Sequence, residues 1–270
     1  MNVALLIKTF RDSALLGGLA LLGIVGFEIL WVVAMGNMAP TLLEMWQKLD
    51  FLKPILQVLF SIDVDEVTVG GLLSFGLVHP IVLIITWGLI ITICTRVTVG
   101  EVDRGTADLL LTLPISRLTV FTTTSIVWVA FGVGFCGCAL LGMFIGASTI
   151  QLPKAIDYGR MAIVTANLFT LYLAVGGTTM FVSSLLSRRG VAIGLVIGVL
   201  LISFLINLLE ALVPAVGTMK FLGFLYYYRP VEIIRDGTWP LGAMSVLVAI
   251  GLVTWIAGAV CFSRRDIPAA

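Results

Sequence analysis

Charged and hydroxyl side chains gather in one short stretch of an otherwise apolar chain. Arg96, Glu101, Asp103, Arg104, Thr106, Asp108, Ser116 and Arg117 all fall between positions 96 and 117. Alternating charges of this kind suit ion pairing at the rim of a partner surface; Arg104 and Asp108 have i, i+4 spacing, with Gly105 between them. Read alone, they suit a solvated loop equally well. Elsewhere the chemistry is sparse. Glu28 is an acid within an apolar run, and such a group binds a cationic substrate, relays a proton or pairs with a neighbouring helix. Pairing is the reading we favour. Asn207 and Glu210, three apart, share one helical face and are candidates for an outer gate or for a helix end among headgroups. His79, the only histidine, precedes Pro80 and reads as a boundary residue.

Several functions are excluded on residue types. No nucleophile–base pair or paired catalytic carboxylates occur, so a membrane hydrolase fits poorly. Cys94, Cys136, Cys138 and Cys261 form no CxxC pair and no Cys/His cluster of metal-site spacing. There is no G-x-x-x-x-G-K-[ST] phosphate loop and no Gly-Lys dipeptide. The chain therefore holds no cofactor of its own.

The elements that position these residues are membrane helices. Of 270 residues, 60% are apolar and 11% charged, with a mean hydropathy of +1.14. A soluble chain carries about 25% charged residues, so this one cannot clothe a water-exposed surface. A net charge of +1 gives no reason to expect nucleic acid. Apolar runs long enough to cross a bilayer, about 20 residues, lie near 14–36, 72–95, 118–149, 161–186, 190–213 and 240–262. The first is too long for a signal-peptide core and lacks a clear cleavage site; it is read as a retained helix. Glu28 costs it about 2.5–3.5 kcal/mol, which its Leu, Ile, Val and Phe residues offset at about 0.3–0.6 kcal/mol each. The third run is over-long, so it tilts or begins on the surface.

Basic residues set the orientation. With the N-terminus inside, the inner pieces hold Lys8, Arg11, Arg96, Arg104, Arg117, Arg188, Arg189, Arg264 and Arg265. The outer pieces, longer in total, hold Lys48, Lys53, Lys154, Arg160, Lys220, Arg229 and Arg235. An even number of spans puts both termini in the cytoplasm. The fold expected is a single all-helical transmembrane domain over 1–270, led by an amphipathic segment at 1–13. Pro40 to Lys53 suits a short surface helix. Residues 214–239 form an outer interfacial segment, with Tyr226, Tyr227, Tyr228 and Trp239 at headgroup level. Gly142 and Gly146, and Gly190, Gly194 and Gly198, form small-xxx-small steps, a spacing that favours packing within one bundle over a seam between copies.

The connector at 96–117 joins the second and third spans. Helix is expected to run on to Gly105, a natural stop. Thr106 then caps a new short helix with Asp108 in its first turn; Pro114 ends it and Ser116 caps the third span. That helix is about seven residues, roughly 10 Å, too short to persist alone. It presents Leu109, Leu110, Leu111 and Leu113 to the aqueous side, and each leucine gains about 1.5–3 kcal/mol on burial. Either the membrane surface covers them or a groove on a soluble partner does.

The run Glu101-x-Asp103-Arg104-Gly105-Thr106-x-Asp108-Leu109-Leu110-x-x-x-Pro114-x-Ser116-Arg117 resembles the cytoplasmic connector of the ABC-2 family of ABC-transporter permeases. Leu6-Ile7-Lys8-Thr9-Phe10-Arg11-Asp12-Ser13 is similar to that family's leading amphipathic helix, and Phe262-Ser263-Arg264-Arg265-Asp266 to its usual end. The resemblance implies a short coupling helix seated in a cleft of a separate ATP-binding cassette ATPase subunit, where ATP and Mg are bound. Closure of two ATPases then rocks the membrane helices. Leu109, Leu110 and Leu113 become the docking knob, and Glu101, Asp103, Arg104, Asp108 and Arg117, with Gly105, Thr106 and Pro114, shape and orient it. It also implies a second permease copy or a homologous one, an efflux role and a bacterial inner-membrane location. A proton-coupled carrier using Glu28 and a non-transporting scaffold are the alternatives.

Overall fold

A computed structural model describes residues 3–48, 73, 75–77, 79–104, 116–152, 156–209 and 213–265, the side chains at 39–40, 42–48 and 214–215 excepted. It contains six long helices: α1 (Val3–Lys48), α2 (Pro80–Thr98), α3 (Arg117–Ser148), α4 (Tyr158–Leu185), α5 (Arg189–Leu209) and α6 (Leu241–Arg264). All six are long and apolar enough to cross a membrane, and among the described residues there is no strand.

Helix α1 is longer than its hydropathy suggests. Its 46 residues extend about 69 Å, more than twice the thickness of a hydrocarbon core. Lys8, Arg11 and Asp12 interrupt the apolar run yet are compatible with helix, so the amphipathic lead merges with the span. The helix also continues through Pro40 to Lys48, where a separate surface helix was expected.

Helix α2 starts later than its apolar run. Pro80 sets its first position and His79 caps it, the ring Nδ1 accepting from Ile81 N at 3.2 Å. It ends at Thr98, short of the stop expected at Gly105. The Thr95 and Thr98 hydroxyls bond back to the Ile91 and Cys94 carbonyls, Val99 turns at φ −110°, and a separate helical turn covers Gly100–Asp103. Ser116 caps α3 as expected, accepting from Thr119 N at 3.1 Å.

Helix α4 is the most enclosed of the six and packs against α6, α2 and α3. Its hydroxyls at Thr165, Thr178 and Thr179 are satisfied by carbonyls one turn earlier, which lets them lie inside an apolar bundle. Glycines bring backbones together. A Cβ on Gly251 of α6 would lie 2.8 Å from the Leu173 carbonyl oxygen of α4, and one on Gly142 of α3 would lie 2.8 Å from the Val25 carbonyl oxygen of α1. Gly190, Gly194 and Gly198 of α5 differ: a Cβ on any of them would meet no other element within 4 Å among the described residues. Packing within the bundle therefore holds for Gly142 and Gly146 and not for the α5 set. Gly251→Ala is expected to lose about 1–3 kcal/mol through overpacking, whereas Gly194→Ala should gain about 0.5–1 kcal/mol from the stiffer unfolded chain. Thermal unfolding midpoints in detergent check this; equal losses at both positions would contradict the seam.

The segment between α5 and α6 folds back onto the bundle. Short helices cover Pro214–Gly217 and Pro230–Asp236, and 3-10 turns cover Lys220–Leu222 and Phe224–Tyr227. Gly237, at φ 68°, closes the second helix in the left-handed region that glycine tolerates. Trp239 is exposed and Tyr226 and Tyr227 are half-buried, but Tyr228 departs from the headgroup expectation. It is only 6% exposed, with its hydroxyl 3.4 Å from the Leu77 carbonyl.

Candidate functional site

Two places in the bundle hold the residues singled out above. The first is the end that frames the connector. Gly105, Thr106, Asp108, Leu109, Leu110, Leu113 and Pro114 lie outside the described residues; Glu101, Asp103, Arg104 and Arg117 lie within them. Asp103 and Arg104 are exposed, and Glu101 and Arg117 are half-buried.

What the structure adds is how this end is fastened. Arg96 of α2 donates to the Asp12 carbonyl of α1 at 2.6 Å. Arg189 of α5 reaches α2, donating to Thr95 Oγ1 at 3.2 Å and to the Thr92 carbonyl at 3.4 Å. Arg117 of α3 donates to the carbonyl of Arg265, immediately after α6. Arg265 in turn donates to the Leu186 carbonyl at 2.7 Å and to Ser187 Oγ at 2.6 Å, between α4 and α5. Burial, and then the Arg117 guanidinium beside it, lowers the Arg265 pKa from its ordinary value. Four guanidiniums thus tie all six helices together where the connector leaves and re-enters the bundle. Sequence reading took these arginines as markers of orientation, and Arg117 also as a coupling residue, but not as links between helices, because their acceptors are remote in the chain.

The second place surrounds Glu28. Its side chain is 0% exposed, and neither carboxyl oxygen has a hydrogen-bond partner among the described residues. The helix–helix pairing we favoured is therefore not found there. Its Cβ abuts Gly142 of α3, its Oε2 faces Gly76, and the rings of Phe27, Trp31 and His79 cluster with centroids 5.2–5.9 Å apart. Asn207 is exposed on α5, and Glu210 lies outside the described residues.

Sequence reading passed over Asn167, a lone amide in an apolar run. It is completely buried on α4, where its Nδ2 donates to the Tyr227 carbonyl at 3.2 Å and its Oδ1 accepts from Arg229 N at 2.9 Å. It clamps the 213–239 segment to the bundle.

Residues 30–267 match the family described as ABC-2 family transporter protein, well over half of the chain. No curated protein matches it.

Proposed function

This chain belongs to the ABC-2 transporter family, and from that premise we propose that it moves its cargo outward, driven by an ATPase that grips the 96–117 connector. Membership makes the chain a multi-pass membrane permease subunit of an ABC transporter, associated with an ATPase subunit and with membrane lipid. A free-standing carrier or scaffold is left behind.

The finer reading goes further. ATP and Mg bind in the partner, while the connector's leucines seat in it and the charges from Glu101 to Asp108 set the register. A second permease copy or a relative completes the pathway, and the assembly sits in a bacterial inner membrane with both termini inside. The observation that carries this reading is the arginine fastening. Ion pairs and guanidinium–carbonyl bonds at a bundle end gain strength where lipid and protein exclude water. A push on the connector enters α2 through Arg96 and Arg189 and α3 through Arg117, and the same links pass it to α1, α5, α6 and the α4–α5 turn. Gathering these arginines at one end also supports an inward orientation for that end.

Asp103→Cys tests both orientation and docking. A membrane-impermeant maleimide should label it in inside-out vesicles and not in right-side-out ones, with the wild-type chain as the blank. An added ATPase subunit should protect it. Labelling from the outer side, or no protection by a subunit that still co-purifies, would overturn the reading.

A further inference from the structure

Glu28 carries an inference independent of how the connector works. A carboxylate without partners in an apolar interior is unstable as an anion, so it persists either as the neutral acid or with a cation at its oxygens. The enclosure decides between the two. A Cβ on Gly76 would already lie 3.1 Å from Glu28 Oε2 and 3.0 Å from Trp31 Nε1, and one on Gly142 would lie 2.8 Å from Glu28 Cβ. On the Gly76 side of the carboxyl, space too small for a methyl group does not admit a hydrated metal ion or an ammonium group. A proton needs none.

Nor is there a fixed counter-charge among the described residues. On α1 itself, Lys8, Arg11, Asp12, Glu44 and Lys48 are at least 16 residues away, about 24 Å along the axis. On α3 the charged side chain is Arg117, at the opposite end from Gly142, and Cys136 is the nearer titratable group. On α2 the charge is Arg96, again at the far end, while the titratable His79 at its start packs its ring against Phe27 and Trp31, with centroids 5.2 Å apart. From the 213–239 segment comes the neutral, buried Tyr228, whose hydroxyl is 3.4 Å from the Leu77 carbonyl.

We propose that Glu28 is a proton-binding site whose occupancy is tied to closure of α1 on α3 and on Gly76 and Leu77. In the closed bundle the carboxyl holds its proton. Parting of these elements admits water, the Glu28 O–H bond breaks, the proton passes to a water molecule and the anion becomes hydrated. Reclosing takes one proton back. With one proton exchanged, the ratio of open to closed bundle changes up to tenfold per pH unit, and acid favours the closed form.

The test uses the purified full chain in lipid nanodiscs. Dicyclohexylcarbodiimide, which attacks protonated carboxyls in apolar surroundings, should modify the Glu28 peptide in mass spectra. The yield should fall up to tenfold per pH unit as pH rises, and the adduct should vanish in Glu28→Gln. Infrared difference spectra across the same pH range should show a carboxylic-acid carbonyl band that Glu28→Gln removes, which covers the case of a reagent that does not enter. Absence of any titrating band assignable to Glu28 would overturn the proposal. So would adduct yield that ignores pH, or yield suppressed by sodium or potassium at fixed pH, which would make the ligand a metal cation.

Discussion

A chain carrying Leu109→Glu and Leu110→Glu should leave its ATPase partner behind on purification while keeping its helical content. Each leucine loses about 1.5–3 kcal/mol of burial, together about 3–6 kcal/mol. At 1.4 kcal/mol per decade that weakens the complex about 100- to 10,000-fold, before the further penalty of placing carboxylates in an apolar cleft. The short helix proposed for this stretch would offer no compensation, because about seven residues do not hold a helix unaided. Binding of the purified ATPase to the chain in nanodiscs reads the constant directly, and circular dichroism reports the bundle. Replacing Asp103 with Asn alters one exposed rim charge, for which about 1 kcal/mol or less is expected. An unchanged constant in the double variant would mean that the leucines lie on lipid, the other cover open to them.

The spans were legible because a bilayer demands length and apolarity, and both are local properties of sequence. Their ends were less so. Hydropathy stops at Ala14, where Arg11 and Asp12 begin, but charged residues break an apolar window without breaking a helix; α1 therefore reaches back to Val3. At α2 the apolar run begins near 72, yet the missing N–H of Pro80 fixes the first turn. Spacing alone could not separate Gly142 and Gly146 from Gly190, Gly194 and Gly198. The first pair meets the α1 backbone and the second set meets nothing described, a difference set by which helices become neighbours. The fastening arginines were visible as charges and illegible as links. Arg265 finds its acceptors 78 and 79 residues away in the chain. Glu28 was marked by its type in an apolar run, but its solitude is a property of the packing around Gly76 and Gly142.

Asn167→Leu should release the 213–239 segment from a bundle that otherwise stays folded. The amide is wholly enclosed and serves two backbone groups, the Tyr227 carbonyl and the Arg229 N–H. Leucine has a similar volume and so leaves little cavity, but both backbone groups become unpaired where water is scarce. Each orphaned group costs about 1–3 kcal/mol, giving about 2–6 kcal/mol in all. That loss falls on the segment and not on the helices, whose own backbone bonds are internal. The remaining tethers include the Phe224 N–H to Ser203 Oγ at 2.8 Å, the Tyr228 hydroxyl to the Leu77 carbonyl at 3.4 Å, and Arg160 of α4, which donates to the Ile234 and Arg235 carbonyls. Amide exchange over residues 224–232 should accelerate about 30- to 10,000-fold if it proceeds through local opening, while α4 keeps its protection. Asn207→Leu, at an exposed site on α5, is the matched control and should change neither. Unaltered exchange in the Asn167 variant would show that the bonds from Ser203, Tyr228 and Arg160 suffice. Tyr228 also borders the enclosure around Glu28, so freeing this segment should raise the access of water to that carboxyl. Dicyclohexylcarbodiimide labelling of Glu28 should then fall off at lower pH in Asn167→Leu than in the wild-type chain, linking the outer segment to the proton site through one buried amide.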